Sequence, residues 1–481
     1  MPVAAAAVDG FVMPVVLCGI CPHPPVMVPE VGQGRDSEVS KTKEAMLELG
    51  RLVKASGADT LVMITPHATV FADAIAISAL PELKGDLGRF GAPGVSFKLS
   101  NDLELVKEIN TDATRAGLMT VAVDKELAAR HELSTDLDHG ITAPLYFIRA
   151  AGVNLPLVHI SMGMDPFPKL YSFGKSLRDA ADKLNRKVAV LASGDLSHRL
   201  TRDAPSGYDP AGQEFDQRLV ELVRSMNVEG MHELDPGLVE RAGECGLRPI
   251  AMMLGTLDGL AVQSRVLSYE GPFGVGYLVA ALLPGEPESS RQLENKLYER
   301  SDEKFTQKRA GESFPVKLAR EVLERYFDGP SDMTIDPKAV PEEFAARRAG
   351  VFVSLKKNGE LRGCIGTIEP VQDTIIEEIA ENAVSAASRD PRFYPVEEEE
   401  LAELDISVDI LTAPEPIKGL ADLDPQKYGV IVSSGGRRGL LLPDLEGIDT
   451  ASEQVNIARQ KAGINPGEPV QLERFEVIRY R

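Results

Sequence analysis

The stretch Val188-Ala189-Val190-Leu191-Ala192-Ser193-Gly194-Asp195-Leu196-Ser197-His198 runs from a short apolar segment through a polar turn to a histidine. Two other stretches take the same form. Val15-Val16-Leu17 leads through Cys18-Gly19-Ile20-Cys21-Pro22 to His23, and Leu61-Val62-Met63-Ile64 leads through Thr65-Pro66 to His67. The chain holds seven histidines, so three in one local context form a pattern. A short apolar run bounded by turn residues reads as a strand buried on both faces, as in a parallel sheet. Ligands of open α/β sheets bind beyond the carboxyl ends of the strands. Three strands would therefore deliver three imidazoles to one metal or one substrate.

Outward from these strands, residues 12 to 284 alternate apolar segments with amphipathic ones. Further strands are predicted at Thr120 to Val123, Leu155 to Ser161 and Arg265 to Ser268. Helices are predicted at Ser37 to Ser56, Asp102 to Ala116, Phe167 to Asn185, Pro210 to Ser225, Gly237 to Glu244 and Pro249 to Leu257. The alternation gives an α/β domain with a largely parallel sheet over residues 1–284. Residues 285–312 are polar and charge-dense, a linker or an exposed bridging helix. Residues 313–481 read as an α+β domain. They open on a helix at Phe314 to Phe327, then a hairpin at Gly350 to Leu355 that turns on Lys357-Asn358-Gly359. A helix at Thr374 to Ala387 follows, then a half-buried strand at Asp405 to Leu411 and a second hairpin at Val430 to Leu442.

Composition bounds the function. The 52 basic and 73 acidic residues leave a net charge of −21, which excludes nucleic acid as a partner, since phosphate contacts need a basic face. No run is apolar and long enough to span a bilayer. Met1 to Phe11 lacks the basic start of a signal peptide, so a cytoplasmic protein is expected. The four cysteines, Cys18, Cys21, Cys245 and Cys364, do not make a disulfide framework. Cys18 and Cys21 form a CxxC that reads either as a redox pair or as two small apolar residues at a strand end.

His23 and His67 are metal-ligand candidates. Pro22, Pro24 and Pro66 stiffen the backbone beside each ring. Two histidines and a carboxylate make a non-haem Fe(II) site, which Glu244 would complete; Cys245 beside it would give a softer set suited to zinc or copper. His198 and His139 are candidate acid–base groups, with Asp195 placed to orient a neighbouring ring. His131 is assigned to the same wall, His159 to a buried structural place in a strand, and His232 to solvent. In the second domain, Arg362 next to Cys364 would lower the thiol pKa and make it a nucleophile or modification site.

The strings Cys21-Pro-His23-Pro-Pro25, Thr65-Pro-His67-Ala68, Asp138-His139-Gly140 with Pro144-Leu145, and Ser193 to His198 resemble the class III extradiol dioxygenases. Their LigB-like, phosphorylase-like fold is shared with the MEMO family. The resemblance implies His23, His67 and a later glutamate on Fe(II), with zinc or copper as other candidates. It also implies His198 as base, His139 beside the substrate, and O2 with a catechol-like or enediol-like substrate. Glu244-Cys-Gly-Leu-Arg-Pro-Ile250 resembles the MEMO version, in which cysteine replaces the glutamate; the Pro249-Ile250 step favours Cys245, and ligand chemistry favours Glu244. Leu361 to Thr367, Arg389 to Phe393 and Arg438 to Pro443 resemble the AMMECR family. The fusion resembles the AmmeMemoRadiSam system proteins. This implies radical SAM and MEMO-like partner proteins; a homodimer is a separate expectation. Three functions stay open: a ring-opening dioxygenase, a metal-binding redox or modifying protein working with a radical SAM enzyme, and a recognition module without turnover.

Overall fold

The computed structural model describes residues 13–329, 340–345, 347–357, 360–445 and 447–481. The Asn358-Gly359 turn and the first eleven residues lie outside that set. The chain divides into two compact units, Met1–Asp302 and Glu303–Arg481.

Among the described residues the first unit has ten strands: β1 (Val15–Cys21), β2 (Thr60–Thr65), β3 (Ile75–Ser78), β4 (Glu82–Leu87), β5 (Ala92–Ser100), β6 (Thr120–Val123), β7 (Leu157–Ser161), β8 (Val188–Ser193), β9 (Leu260–Glu270) and β10 (Tyr277–Pro287). Eight of them make one sheet in the order β6-β3-β7-β2-β8-β1-β10-β9. Its centre, β7-β2-β8-β1, is parallel, and β10 closes it antiparallel to β1 and β9. β4 and β5 form a separate ribbon. Every residue of β2 and β8 is buried, because helices cover both faces.

Alternate side chains feed two cores. Cys18, Ile20, Val62, Ile64, Val190 and Ala192 enter one, and Leu17, Cys21, Leu61, Met63 and Leu191 enter the other. Three steps along a strand reverse the face, so Cys18 and Cys21 point apart and form no redox pair. Cys18 Sγ meets Thr256 Oγ1 at 3.3 Å, and burial pushes its pKa up to about 12.

The structure lengthens β9 beyond the predicted Arg265 to Ser268. It adds β10, whose last residues occupy the start of the predicted 285–312 linker. Most of that segment is a helix, Glu294–Gly311, in which only Leu297 is buried. Glu294 at its start and Lys308 and Arg309 at its end complement the helix dipole in place of an apolar face. The predicted helix at Gly237 to Glu244 is Pro236–Ala242 instead. Gly243, at φ 63°, ends it in the left-handed region and leaves Glu244 and Cys245 in the turn beyond.

In the second unit, β11 (Val351–Lys357), β12 (Glu360–Gly366), β13 (Leu404–Leu411) and the last strand, Val477–Tyr480, make one sheet. Helices Phe314–Asp328 and Ile375–Ser388 share its apolar core. Thr374 and Glu377 cap the second of these helices reciprocally. A second four-stranded sheet packs on helix Ala451–Lys461.

Asp216, fully buried on helix Pro210–Ser225, accepts from Ser197 N at 2.8 Å and from the Tyr269 hydroxyl at 2.7 Å. Burial pushes its carboxyl up to about 7. The unfolded value is about 3.9, so the folded state holds this proton more tightly. The group's contribution to stability is complete below about pH 4 and is lost as pH rises through about 7. Asp216→Asn does not titrate. Its thermal midpoint relative to the wild type is expected to climb between about pH 4 and pH 7 and then level off, read by unfolding scans across that range. A midpoint difference independent of pH would contradict this reading.

Candidate metal centre

The parallel register brings the strand ends level. Cys21 pairs with Ser193 across β1 and β8, and Ile64 pairs with Ala192 across β2 and β8. His23, His67 and Asp195 each follow two residues after a strand end, so they leave one edge of the sheet together.

The His23 and His67 Nε2 atoms lie 2.9 Å apart, and Cys245 Sγ lies 3.7 Å from His23 Nε2. One donor atom from each of the three residues falls within 4.8 Å of the others. His23 is buried, Cys245 is half-buried and His67 is exposed. The tautomer of His23 follows from its partners. Ser193 Oγ gives its single hydrogen to the Gly140 carbonyl, so it accepts from His23 Nδ1 at 3.0 Å. Nε2 of His23 therefore carries a lone pair aimed at His67. Burial, with His67 alongside, pulls the His23 pKa down to about 3. Burial also lowers His67 and His139. Facing lone pairs repel unless a hydrogen or a cation sits between them, and two imidazoles with a thiolate are a metal donor set.

Cys245 is fixed by its backbone. Its N–H donates to the Asp195 carbonyl at 3.2 Å, and the Asp195 N–H donates to Cys245 Sγ at 3.3 Å. The two turns meet through glycine, since a Cβ on Gly194 would overlap Gly246 Cα. Burial raises the Cys245 thiol pKa, with Asp195 adding to the rise, so a metal would have to displace its proton. Asp195 Oδ1 accepts from the His23 N–H at 2.9 Å. Glu244 is next in sequence but held by another partner: its carboxylate accepts from Leu247 N at 2.6 Å, the first amide of the following helix, Leu247–Gly255. Glu244 is absent from the cluster of donor atoms.

His139 opens helix His139–Ala150 and stacks on His67, with centroids 4.4 Å apart and planes 22° apart. Phe90, from the β4–β5 ribbon, stands 5.3 Å from the His139 ring. No sequence signal marks Phe90, because it lies in the turn between β4 and β5 and in neither strand. His198 Nδ1 hydrogen-bonds the Gly243 carbonyl, which only accepts, so its Nε2 is the free base atom. His198 lies close enough to lower the basicity of both His23 and His67. His131 is exposed at the end of helix Lys125–Arg130. His232 is half-buried rather than solvated; Ser301 Oγ lies 3.1 Å away and the Phe167 ring 5.5 Å.

In the second unit, Arg362 does not serve Cys364. Its guanidinium holds Glu400 and the carbonyls of Tyr394 and Pro395. The guanidinium that reaches Cys364 is Arg392, which donates to its carbonyl at 3.1 Å. Ser354 Oγ donates to Cys364 Sγ at 3.2 Å.

Two families of known proteins match the chain. The family described as the catalytic LigB subunit of aromatic ring-opening dioxygenase matches residues 17–280, and AMMECR1 matches residues 316–481. Protein CA_C1420 of Clostridium acetobutylicum is 42% identical over 462 residues, spanning 96% of this chain and 98% of its own. A Thermotoga maritima protein is 51% identical over 174 residues, 36% of this chain and 99% of its own. The crystal structure of uncharacterized protein PH0010 from Pyrococcus horikoshii is 33% identical, covers 34% of this chain and 88% of its own, and has a TM-score of 0.31.

Proposed function

The chain belongs to the LigB family, with an AMMECR1 domain joined to it, and from that premise we propose a metal-dependent oxidoreductase centre held by His23, His67 and Cys245. The observation that carries the proposal is the convergence of three donor atoms, one with its lone pair fixed toward the others. The thiol weights the set toward copper or zinc, while iron fits the ring-opening chemistry in the family's description. A bound ion would polarise the oxygens of a phenolic or enediol-like substrate and, if iron or copper, exchange electrons with it.

The chain's own residues supply the rest. His198, anchored through Nδ1, offers Nε2 to a substrate hydroxyl proton. His139 and Phe90 present flat faces beside the exposed His67 and favour a planar substrate. A two-histidine, one-carboxylate set would draw Glu244 toward the histidines against its bond to the Leu247 N–H, worth about 1.5–3 kcal/mol. A second reading, metal handling alongside a radical SAM partner, draws support from the thiol that stands in the carboxylate's place.

Metal analysis of protein purified without oxygen tests both. About one ion per chain is expected, lost in His23→Ala and Cys245→Ala and kept in Glu244→Ala. Iron lost in Glu244→Ala but kept in Cys245→Ala would restore the carboxylate set. No metal in any preparation, even after reconstitution, would overturn the centre.

A further inference from the structure

One carboxylate outside the donor set ties three histidines together. Asp138 Oδ1 accepts from Thr65 Oγ1 at 2.7 Å and from Gly140 N at 2.7 Å. Thr65 has a single hydroxyl hydrogen and gives it to Asp138, so it accepts the His67 N–H at 3.2 Å. Gly140, next along, offers its carbonyl to Ser193, which holds His23 Nδ1. Between Asp138 and Gly140 sits His139, the first residue of the helix that Asp138 caps. A Cβ on Gly140 would overlap Thr65 Oγ1, so only glycine admits this convergence. On the far side, Asp138 Oδ2 faces His159 Nε2 at 3.4 Å, within ion-pair distance, and both are nearly buried. Neither atom makes a hydrogen bond among the described residues, so each has the other as its charge partner.

We infer that Asp138, backed by His159, is the positioning residue of the metal centre: it sets His67 through Thr65, His23 through Gly140 and Ser193, and His139 through the helix start. The inference rests on the metal reading above and assigns to the Asp138–His159 pair a part in ligand placement. Each hydroxyl in the two relays has one hydrogen, so the relays run in one direction only and fix the backbone of one ligand and the ring of the other. His159 thus backs the site rather than merely filling a strand.

Cobalt(II) is the probe, because its visible spectrum reports ligand geometry without any turnover. Full-length apo protein is titrated with Co(II) as wild type, Asp138→Ala, Asp138→Asn and Thr65→Val. Asp138→Ala is expected to bind about 10–100-fold more weakly and to shift the cobalt spectrum, the usual cost of losing an outer partner. Asp138→Asn keeps an oxygen for Thr65 and Gly140 and an N–H for His159, so it is expected to restore both affinity and spectrum. Thr65→Val cuts only the His67 relay and is expected to weaken binding about 10-fold. It answers the question even where Asp138→Ala does not fold. Wild-type affinity and spectrum in Thr65→Val and in a folded Asp138→Ala would overturn the inference and leave the metal centre standing. No cobalt uptake by the wild type would overturn the metal centre and the inference with it.

Discussion

Arg320→Leu is expected to cost the second unit about 3–5 kcal/mol, the usual penalty for stranding one member of a buried ion pair. Arg320 lies on helix Phe314–Asp328 and is buried with Glu312. Its Nε approaches the two Glu312 oxygens at 3.0 and 3.1 Å, and Nη2 also donates to the Leu404 carbonyl at 3.1 Å. Removing the guanidinium leaves a buried carboxylate and the start of β13 without their donor. Leucine fills the stem volume, so the loss measures charge rather than cavity. Denaturant titration of the full chain checks it, and the double variant Arg320→Leu with Glu312→Leu is expected to recover much of the loss. A single variant within about 0.5 kcal/mol of wild type would show that water reaches the pair.

Gly194→Ala carries the second large effect. The added methyl meets Gly246 Cα, which is backbone and cannot swing aside as a side chain would. The two turns must part, at about 3 kcal/mol or more, and Cys245 moves away from His23 with them. Lower thermal stability together with loss of metal uptake is the expected result. Gly94→Ala on β5, where an added methyl meets nothing within 4 Å, serves as the control and is expected to stay within about 0.5 kcal/mol. Normal metal uptake in Gly194→Ala would mean that the turn does not set the thiol.

The sequence carried the parallel centre of the first unit well, because β1, β2 and β8 are buried on both faces and read as unbroken apolar runs. It carried the antiparallel edge poorly. β9 mixes exposed and half-buried residues such as Gln263, Ser264 and Arg265, and the ribbon β4–β5 lies outside the predicted strands although Val95, Phe97 and Leu99 alternate with polar residues. The strand-end histidines were legible for the same reason as the strands. The choice between Glu244 and Cys245 was not, because adjacent residues in a turn face different ways. Which one faces the site depends on left-handed Gly243 and on the contact between Gly194 and Gly246, some fifty residues apart in sequence. Arg362 and Cys364 share one strand, yet Glu400, 38 residues on, draws the guanidinium away. No local string holds that information.

The place of β8 between β2 and β1 has a consequence for the newborn chain. His23 and His67 lie 44 residues apart and leave the ribosome early, but the strand that sets them side by side comes much later. His23 finds Asp195 across 172 positions and Cys245 across 222. A nascent chain therefore carries two unassembled imidazoles while the 126 residues from His67 to the end of β8, about a quarter of the 481, are made. The three donor atoms can meet only after β8 has slotted into the sheet, so any ion they would hold enters a chain already committed to its fold.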